Sequence, residues 1–362
     1  MSGGAPLIGI DLFAGAGGMS LGAGLAGVNV EFAVERDAFA AKTYAHNHPK
    51  TVLHQGDVRN VNRNLLERWL VHRDSIVLFG GPPCQGFSWS NLKTRSTANI
   101  DNWLFTEFVR VTRLLMPAWV VFENVQGIVN TAEGAFVEEL TADLRGLGYE
   151  TQAERLNASQ YGVPQHRTRY FLVASRDGKR FAFPTAAASA ARTVNDAIRD
   201  LPRLSNGHST CFSKYGRSKP SSYGSRLRQK RQGCCNHLVT NNAPLVIERY
   251  RHVPQGGNWE DIPSRLMRNY ADRKRCHTGI YHRLRADLPS IVIGNYRKNM
   301  LIHPVEDRGL SVREAARIQS FPDRYQFFGS IGFQQQQVGN AVPPLLAKEV
   351  FRSLKSHHGL NE

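Results

Sequence analysis

A thiol set just beyond a short apolar run is the first candidate for chemistry in this chain. In "LFGGPPCQGFSWS", Leu78 to Ser90, stands Cys84, one of five cysteines. A packing cysteine would sit inside the run. Cys84 instead follows two glycines and two prolines, where the backbone must turn and the side chain can reach outward. A second constellation is "DLFAGAGGMSLG". Gly15, Gly17 and Gly18 follow a strand-like run and open a helix, so the backbone there can approach a ligand closely, as in nucleotide-binding α/β units. Glu35 ends the next strand-like run, 20 residues after Gly15, where an acidic side chain accepts hydrogen bonds from ribose hydroxyls. Asp57, in "QGDV", is placed to close a third strand over an adenine. This pattern leaves a nicotinamide dinucleotide and S-adenosyl-L-methionine both open. The spelling "FAGAGG" departs from the G-x-G-x-x-G usual for dinucleotides and leans toward the second. Glu123, in "FENV", follows an apolar run, so its carboxyl is expected to be partly buried, and burial favours its protonated form.

The elements that would position these groups alternate between strand and helix periodicity over the first ~180 residues, which reads as an α/β sheet. "PLIGIDLFAG", "VNVEFAVE", "SIVLFGG", "AWVVFENV" and "RYFLVAS" read as strands. "DAFAAKTYAHNH", "NWLFTEFVRVTRLL" and "AFVEELTADLRGLGY" read as helices. At "PTAAASAARTV" the pattern breaks into a linker, and a turn-rich basic segment follows. Regular patterning resumes near Leu288, with "SIVIGN" as a strand, "SVREAARIQSF" as a helix, and "PPLLAKEVFRSLK" as a last helix with prolines at its start. The expected organisation is residues 1–185 as a catalytic and cofactor-binding domain, 186–287 as a basic insert, and 288–362 as a return to the first domain.

Composition narrows the partners. The chain has 362 residues, 41% of them hydrophobic, and a formal charge of +16. Between Arg203 and Arg285 lie 17 basic and 4 acidic residues, a net of +13, so one segment carries most of the excess. Such a concentration is the footprint of a polyanion ligand. No apolar stretch approaches the ~20 residues that span a bilayer, and no basic region precedes the apolar start, so neither a membrane segment nor a signal peptide is expected. Five cysteines speak against a disulfide scaffold and for a reducing compartment. Cys211, Cys234, Cys235, Cys276 and His237 invite a zinc reading, but adjacent cysteines without a C-x-x-C pair fit metal spacing poorly, and no metal is expected.

In order, "DLFAGAGGMSLG", "GDV", "GGPPCQGFS", "ENV", "QYGVPQHRTRYFLVA", "REAARIQSFPD" and "QVGNAVPP" resemble the blocks of the C5-cytosine DNA methyltransferase family, bacterial modification type. They run from residue 11 to about 350 and leave out only the basic insert. The resemblance implies a Rossmann-like, S-adenosylmethionine-dependent methyltransferase sheet with a smaller, irregular target-recognition domain at 186–287. It implies methyl transfer to C5 of a cytosine flipped out of a specific short duplex sequence. Cys84 then matches the nucleophile that adds to C6, Glu123 the residue at N3, and Arg167 and Arg169 the pair beside the base and its phosphate; alternation puts both arginines on one face of a strand. Cofactor contacts carried over are Phe13, Gly15, Gly17, Glu35, Asp57, Pro82, Leu104, Asn340 and Val342. In the family the last helix folds back beside the cofactor, and "GNAVPPLLAKEV" looks like that helix. Double-stranded DNA is the implied partner, with a functionally paired restriction endonuclease making no stable contact. The implied setting is a monomer in the cytoplasm of a bacterium or archaeon, at the nucleoid. Set against this are an RNA cytosine methyltransferase of the same fold, an inactive DNA-binding homologue, and a nicotinamide-dependent dehydrogenase. The long basic insert, the complete Cys84, Glu123, Arg167 and Arg169 set, and the lack of a hydride-transfer site weigh against them in turn.

Overall fold

The computed structural model describes residues 6–83, 104–186, 191–270, 278–294 and 296–359; Cys84 and Cys276 lie outside them. The chain forms two compact units, one of residues 1–157, 168–186 and 344–362, the other of 158–167 and 187–343.

The first unit is an open sheet with helices. Along the chain come β1 (Ile8–Leu12), α1 (Gly18–Leu25), β2 (Asn29–Glu35), α2 (Ala38–Asn47), β3 (Val52–Gln55), α3 (Arg63–Leu70), β4 (Ile76–Gly80), α4 (Leu104–Leu115), β5 (Trp119–Val125), α5 (Ala135–Gly146), β6 (Glu150–Asn157) and β7 (Thr168–Ser175). The strand order is β3-β2-β1-β4-β5-β7-β6. The neighbours from β3 to β5 pair in parallel, and β7 runs antiparallel between β5 and β6. All five residues of β4 are buried, as are Trp119 to Asn124 of β5. That is why both read as unbroken apolar runs rather than alternating ones. Strand order reverses between β1 and β4, and ligands of such sheets bind outside the carboxyl ends of the strands at that point. This is the expected α/β, Rossmann-like architecture.

Two close approaches set the geometry around the reversal. A Cβ placed on Gly80 would lie 2.0 Å from the Leu12 carbonyl oxygen, so the end of β4 can meet β1 only without a side chain. One on Gly22 would lie 2.5 Å from Ala347 Cβ and 2.7 Å from the Pro344 carbonyl oxygen. The last helix, Pro344–His358, is thereby seated directly on α1, the helix that the glycine turn opens.

The second unit contains α6 (Val194–Ile198), β8 (Phe212–Lys214), α7 (Ser222–Arg228), β9 (Gly233–Cys235), α8 (Pro244–His252), α9 (Tyr296–Asn299), α10 (Val312–Ile318) and α11 (Ile331–Asn340). β8 and β9 make a small antiparallel sheet. The chain passes from the first unit to the second within the linker, after residue 186, and residues 158–167 also group with the second unit. Residues 288–343, expected to rejoin the first domain, group instead with the basic insert. The reason is electrostatic: α10 buries Arg313, Glu314 and Arg317, and their charge partners Asp200, Arg308 and Asp323 all lie in this unit. "QVGNAV" likewise belongs to α11 and the turn after it, not to the last helix. Among the described residues no helix is long and apolar enough to cross a membrane.

Gly80→Ala is expected to cost at least ~2 kcal/mol in urea denaturation, because the clash is with backbone that cannot rotate away. Gly24→Ala, on exposed α1 surface with nothing within 4 Å of the added carbon, should instead stabilise by about 0.5–1 kcal/mol.

Candidate active site at the strand ends

Register alone lines up the candidate residues of the first unit. Leu12 of β1 pairs with Val34 of β2 and with Gly80 of β4, and Gly80 pairs with Phe122 of β5. The next residue along each of these strands is therefore Glu35, Phe13, Gly81 and Glu123. Four positions read from separate motifs form one row across the carboxyl ends of adjacent strands. Gln55 of β3 pairs with Glu35, which puts Asp57 two residues past the same edge.

The glycine turn is bent by backbone that side chains seldom adopt. Phe13, Gly15 and Gly17 have φ of 62°, 55° and 84°. For phenylalanine this conformation is unfavourable, and Phe13 is held in it while packing against the main core. Glu35 ties the turn to β2: its carboxylate accepts from the Gly15 amide at 2.7 Å and from the Asp37 amide at 2.7 Å. Burial pushes the Glu35 carboxyl above its ordinary range, and these two amide donors oppose that push. Asp57 is held differently. Arg59 donates to both of its oxygens, at 2.9 and 2.8 Å, and this bond to Arg59 chiefly lowers its carboxyl to about 2.

At the other end of the row, Glu123 is buried, as its apolar run implies. It is also paired, because Arg169 of β7 places Nε 3.1 Å from Glu123 Oε1. Burial pulls the Arg169 guanidinium below its ordinary range, and Glu123 opposes the shift. The loop that leads toward Cys84 is fixed from β5: Asn124 Nδ2 donates to the Pro82 carbonyl at 3.0 Å. A Cβ on Gly81 would lie 2.5 Å from Glu123 Oε2. Leu104 is the buried first residue of α4.

Arg167 does not share a strand face with Arg169, because β7 begins at Thr168. It is buried in the second unit, where its guanidinium donates to the carbonyls of Ile293 at 3.1 Å and Gly339 at 2.8 Å. A buried guanidinium needs acceptors for a fork of donors, and main-chain oxygens supply them at both terminal nitrogens. Beside it Gln165 donates to Gln319 and accepts from the Ile293 amide. Asn340 and Val342 also lie in the second unit, the first exposed at the end of α11, the second buried just after it. Of the cysteine and histidine group, Cys234 is buried, which pushes its thiol up to about 12. Both His237 ring nitrogens face polar partners, Ser311 Oγ and the Pro202 carbonyl.

One polar group under the turn was not among the expected site residues. Asp11, inside β1, is buried and accepts from the Ser20 hydroxyl at 2.6 Å; Ser20 Oγ is also 2.7 Å from the Tyr44 hydroxyl. Burial pushes Asp11 up to about 8. A lone carboxyl inside the apolar run "LIGIDLF" was the available signal.

The chain is similar to known proteins. The family model for C-5 cytosine-specific DNA methylase matches residues 7–356. The Type II methyltransferase M1.HphI of Haemophilus parahaemolyticus is 37% identical over 343 residues, which cover 94% of this chain and 84% of that protein. M.XorII of Xanthomonas oryzae is 34% identical, covering 95% and 83%. Among solved structures, an Escherichia coli prophage protein described as a DNA modification methyltransferase superposes with a TM-score of 0.79 at 27% identity, covering 98% of this chain and all of that one.

The raised Asp11 value sets the sign of a pH effect. The protonated group contributes stability in full below its unfolded value near 4, and that contribution is lost as pH rises toward about 8. The unfolding free energy from urea denaturation between pH 5 and 8 should fall with a slope of up to about 1.4 kcal/mol per pH unit from this group. Asp11→Asn should flatten that slope, and an unchanged slope in the variant would exclude Asp11 as its source.

Proposed function

The chain belongs to the C-5 cytosine-specific DNA methylases, and from that premise we propose that Cys84 attacks C6 of a cytosine extruded from duplex DNA while S-adenosyl-L-methionine supplies the methyl group for C5. The enzyme is a DNA (cytosine-5)-methyltransferase. The observation that carries the finer reading is the row of strand ends, which sets Glu35 and the glycine turn on one side of Gly81 and Glu123 on the other.

Residues at the turn fit the proposed donor. Among the described residues nothing lies within 4 Å of a Cβ placed on Gly15, so the turn faces open space. Glu35 spends one acceptor direction per oxygen on the two amides and keeps lone pairs for ribose hydroxyls. Phe13, Gly17, Asp57, Pro82, Leu104, Asn340 and Val342 are the further contacts proposed. When bound, S-adenosyl-L-methionine offers an electrophilic methyl on sulfonium sulfur.

C5 of cytosine is a poor nucleophile. Addition of the Cys84 thiolate to C6 converts the ring to an enamine, so that C5 takes the methyl group. Loss of the C5 proton then expels the thiolate and breaks the S–C6 bond. Glu123 in its protonated form is the group for N3, where donating its proton or a hydrogen bond makes C6 more electrophilic. Arg169 keeps that carboxyl group in one position, and Asn124 fixes the carbonyl two residues before Cys84. Arg167, with its guanidinium on main-chain carbonyls, is assigned to holding the segments that carry Ile293 and Gly339. The second unit is the proposed target-recognition part. A monomer acting in the cytoplasm, alongside a separate restriction endonuclease, completes the reading.

Bisulfite sequencing of host DNA expressing the protein should reveal methylcytosine at one short sequence. A duplex of that sequence with 5-fluorocytosine at the target should form an adduct that survives denaturation, since C5 then has no proton to lose. Cys84→Ala should abolish both adduct and turnover, and retained turnover in that variant would refute the nucleophile.

A further inference from the structure

The excess charge of the basic insert is not one surface. Some of its arginines are structural: Arg249 donates to the Leu266 carbonyl and the Tyr281 hydroxyl, and Arg283 to the carbonyls of Val253, Tyr250 and His303. A different set stands out from Lys214 to Arg231, which contains seven basic residues and no acidic one. Six of the seven, Lys214, Arg217, Lys219, Arg226, Lys230 and Arg231, are exposed. None has a carboxylate within ion-pair distance among the described residues, unlike Arg285, Arg251 or Arg59 elsewhere on the surface.

The seventh, Arg228, anchors the segment. Its Nε donates to Asp200, and its guanidinium carbon lies 3.9 Å from the centre of the Tyr215 ring. Tyr215 in turn bonds Asp323. Asp200 and Asp323 are both held by Arg317, which is fully buried and bidentate to Asp323 at 2.8 and 2.6 Å. The two strands close the segment at its base, where Lys214 pairs with Gly233 and the Tyr215 amide donates to the Gln232 carbonyl. At the end of α7 two successive non-glycine residues, Gln229 and Lys230, have φ of 49° and 62°. Left-handed backbone costs such residues roughly 1–2 kcal/mol each, and here it ends the helix so that Lys230 and Arg231 lie on exposed surface.

We propose that the Lys214–Arg231 segment is a phosphate clamp: its six exposed cations hold duplex DNA by the backbone, without reading sequence, on a seat fixed by the Arg317 cluster. The proposal rests on the DNA-methylating function above and adds a division of labour within the insert. Unpaired cations spread over strand, helix and turns are suited to counterion release, which is sequence-independent.

The test compares the native chain with Lys214→Gln, Arg226→Gln, Lys230→Gln and Arg231→Gln combined. Binding is measured from 0.05 to 0.3 M salt on a duplex carrying the methylated sequence, a scrambled duplex, and duplex RNA. Each lost phosphate contact should make the slope of log affinity against log salt shallower by about 0.9. The combined variant should therefore weaken binding by at least tenfold at 0.15 M salt, equally on both DNA duplexes. If the combined variant melts early, the four single substitutions carry the same test. An unaltered slope overturns the proposal. So does an equal change in a control with Lys50, Arg63 and Arg73 of the first unit replaced by glutamine, a loss confined to the methylated sequence, or tighter binding of RNA that carries the slope. Absence of any methylated sequence would defeat the functional reading instead, and the scrambled duplex would still decide the clamp.

Discussion

The Glu123–Arg169 pair is the interaction around which the sheet edge is organised. Two ions of so little exposure cost several kcal/mol each to desolvate, and only their mutual contact and added hydrogen bonds repay it. Antiparallel pairing makes the contact possible. Glu123 faces Phe171 across β5 and β7, and Val125 faces Arg169, so Arg169 is the diagonal neighbour of Glu123 on the same sheet face. Removing either partner would leave the other without this ion pair at a site of little exposure. The carboxyl end of β5 therefore depends on β7, a strand whose own sequence shows no site chemistry beyond its first arginine.

The same rule shapes the second unit. α10 is seven residues long and buries three charges. Arg308 meets Glu314 through two bonds, and Arg317 meets Asp323 through two more. Ser311 caps the helix with Glu314 in reciprocal bonds. The carboxyl of Glu314 is well below its usual range: burial opposes the shift, but Arg308 outweighs it. A helix with this many internal charges must fold against the residues that neutralise them. It therefore groups with the insert rather than with the parallel sheet.

What was legible in the sequence follows from where apolar runs and punctuation agree. "SIVLFGG" and "AWVVFENV" are buried on both faces, so composition alone marked them as central strands, and the glycines after β1 and β4 marked the edge. Glu35 and Glu123 were readable because each breaks an apolar run at its end. The surroundings of Arg167 were not, because an arginine two residues before Arg169 looks like strand alternation, and no local pattern encodes the distant carbonyls of Ile293 and Gly339 that it meets. Asp11 was passed over for the opposite reason: its partners Ser20 and Tyr44 come from helices whose contact with β1 no local pattern encodes. The basic insert was legible as charge but not as a mixture of buried and exposed arginines.

That mixture has a chemical logic. The buried cations among the described residues are all arginines, Arg167, Arg249, Arg283, Arg308, Arg313 and Arg317, and no lysine is buried with them. A guanidinium presents five donors in a plane and can satisfy several carbonyls at once, as Arg313 does with Cys235, Pro322 and Tyr325. An ammonium group is more strongly hydrated and loses more on burial. Lysines are thus left outside, where Lys214, Lys219 and Lys230 keep their water until a phosphate replaces it. One composition serves two ends: arginine carbonyl hubs help to fill the interior of the irregular unit, and the exposed cations from Lys214 to Arg231, with no carboxylate in ion-pair distance among the described residues, give it a surface for a polyanion.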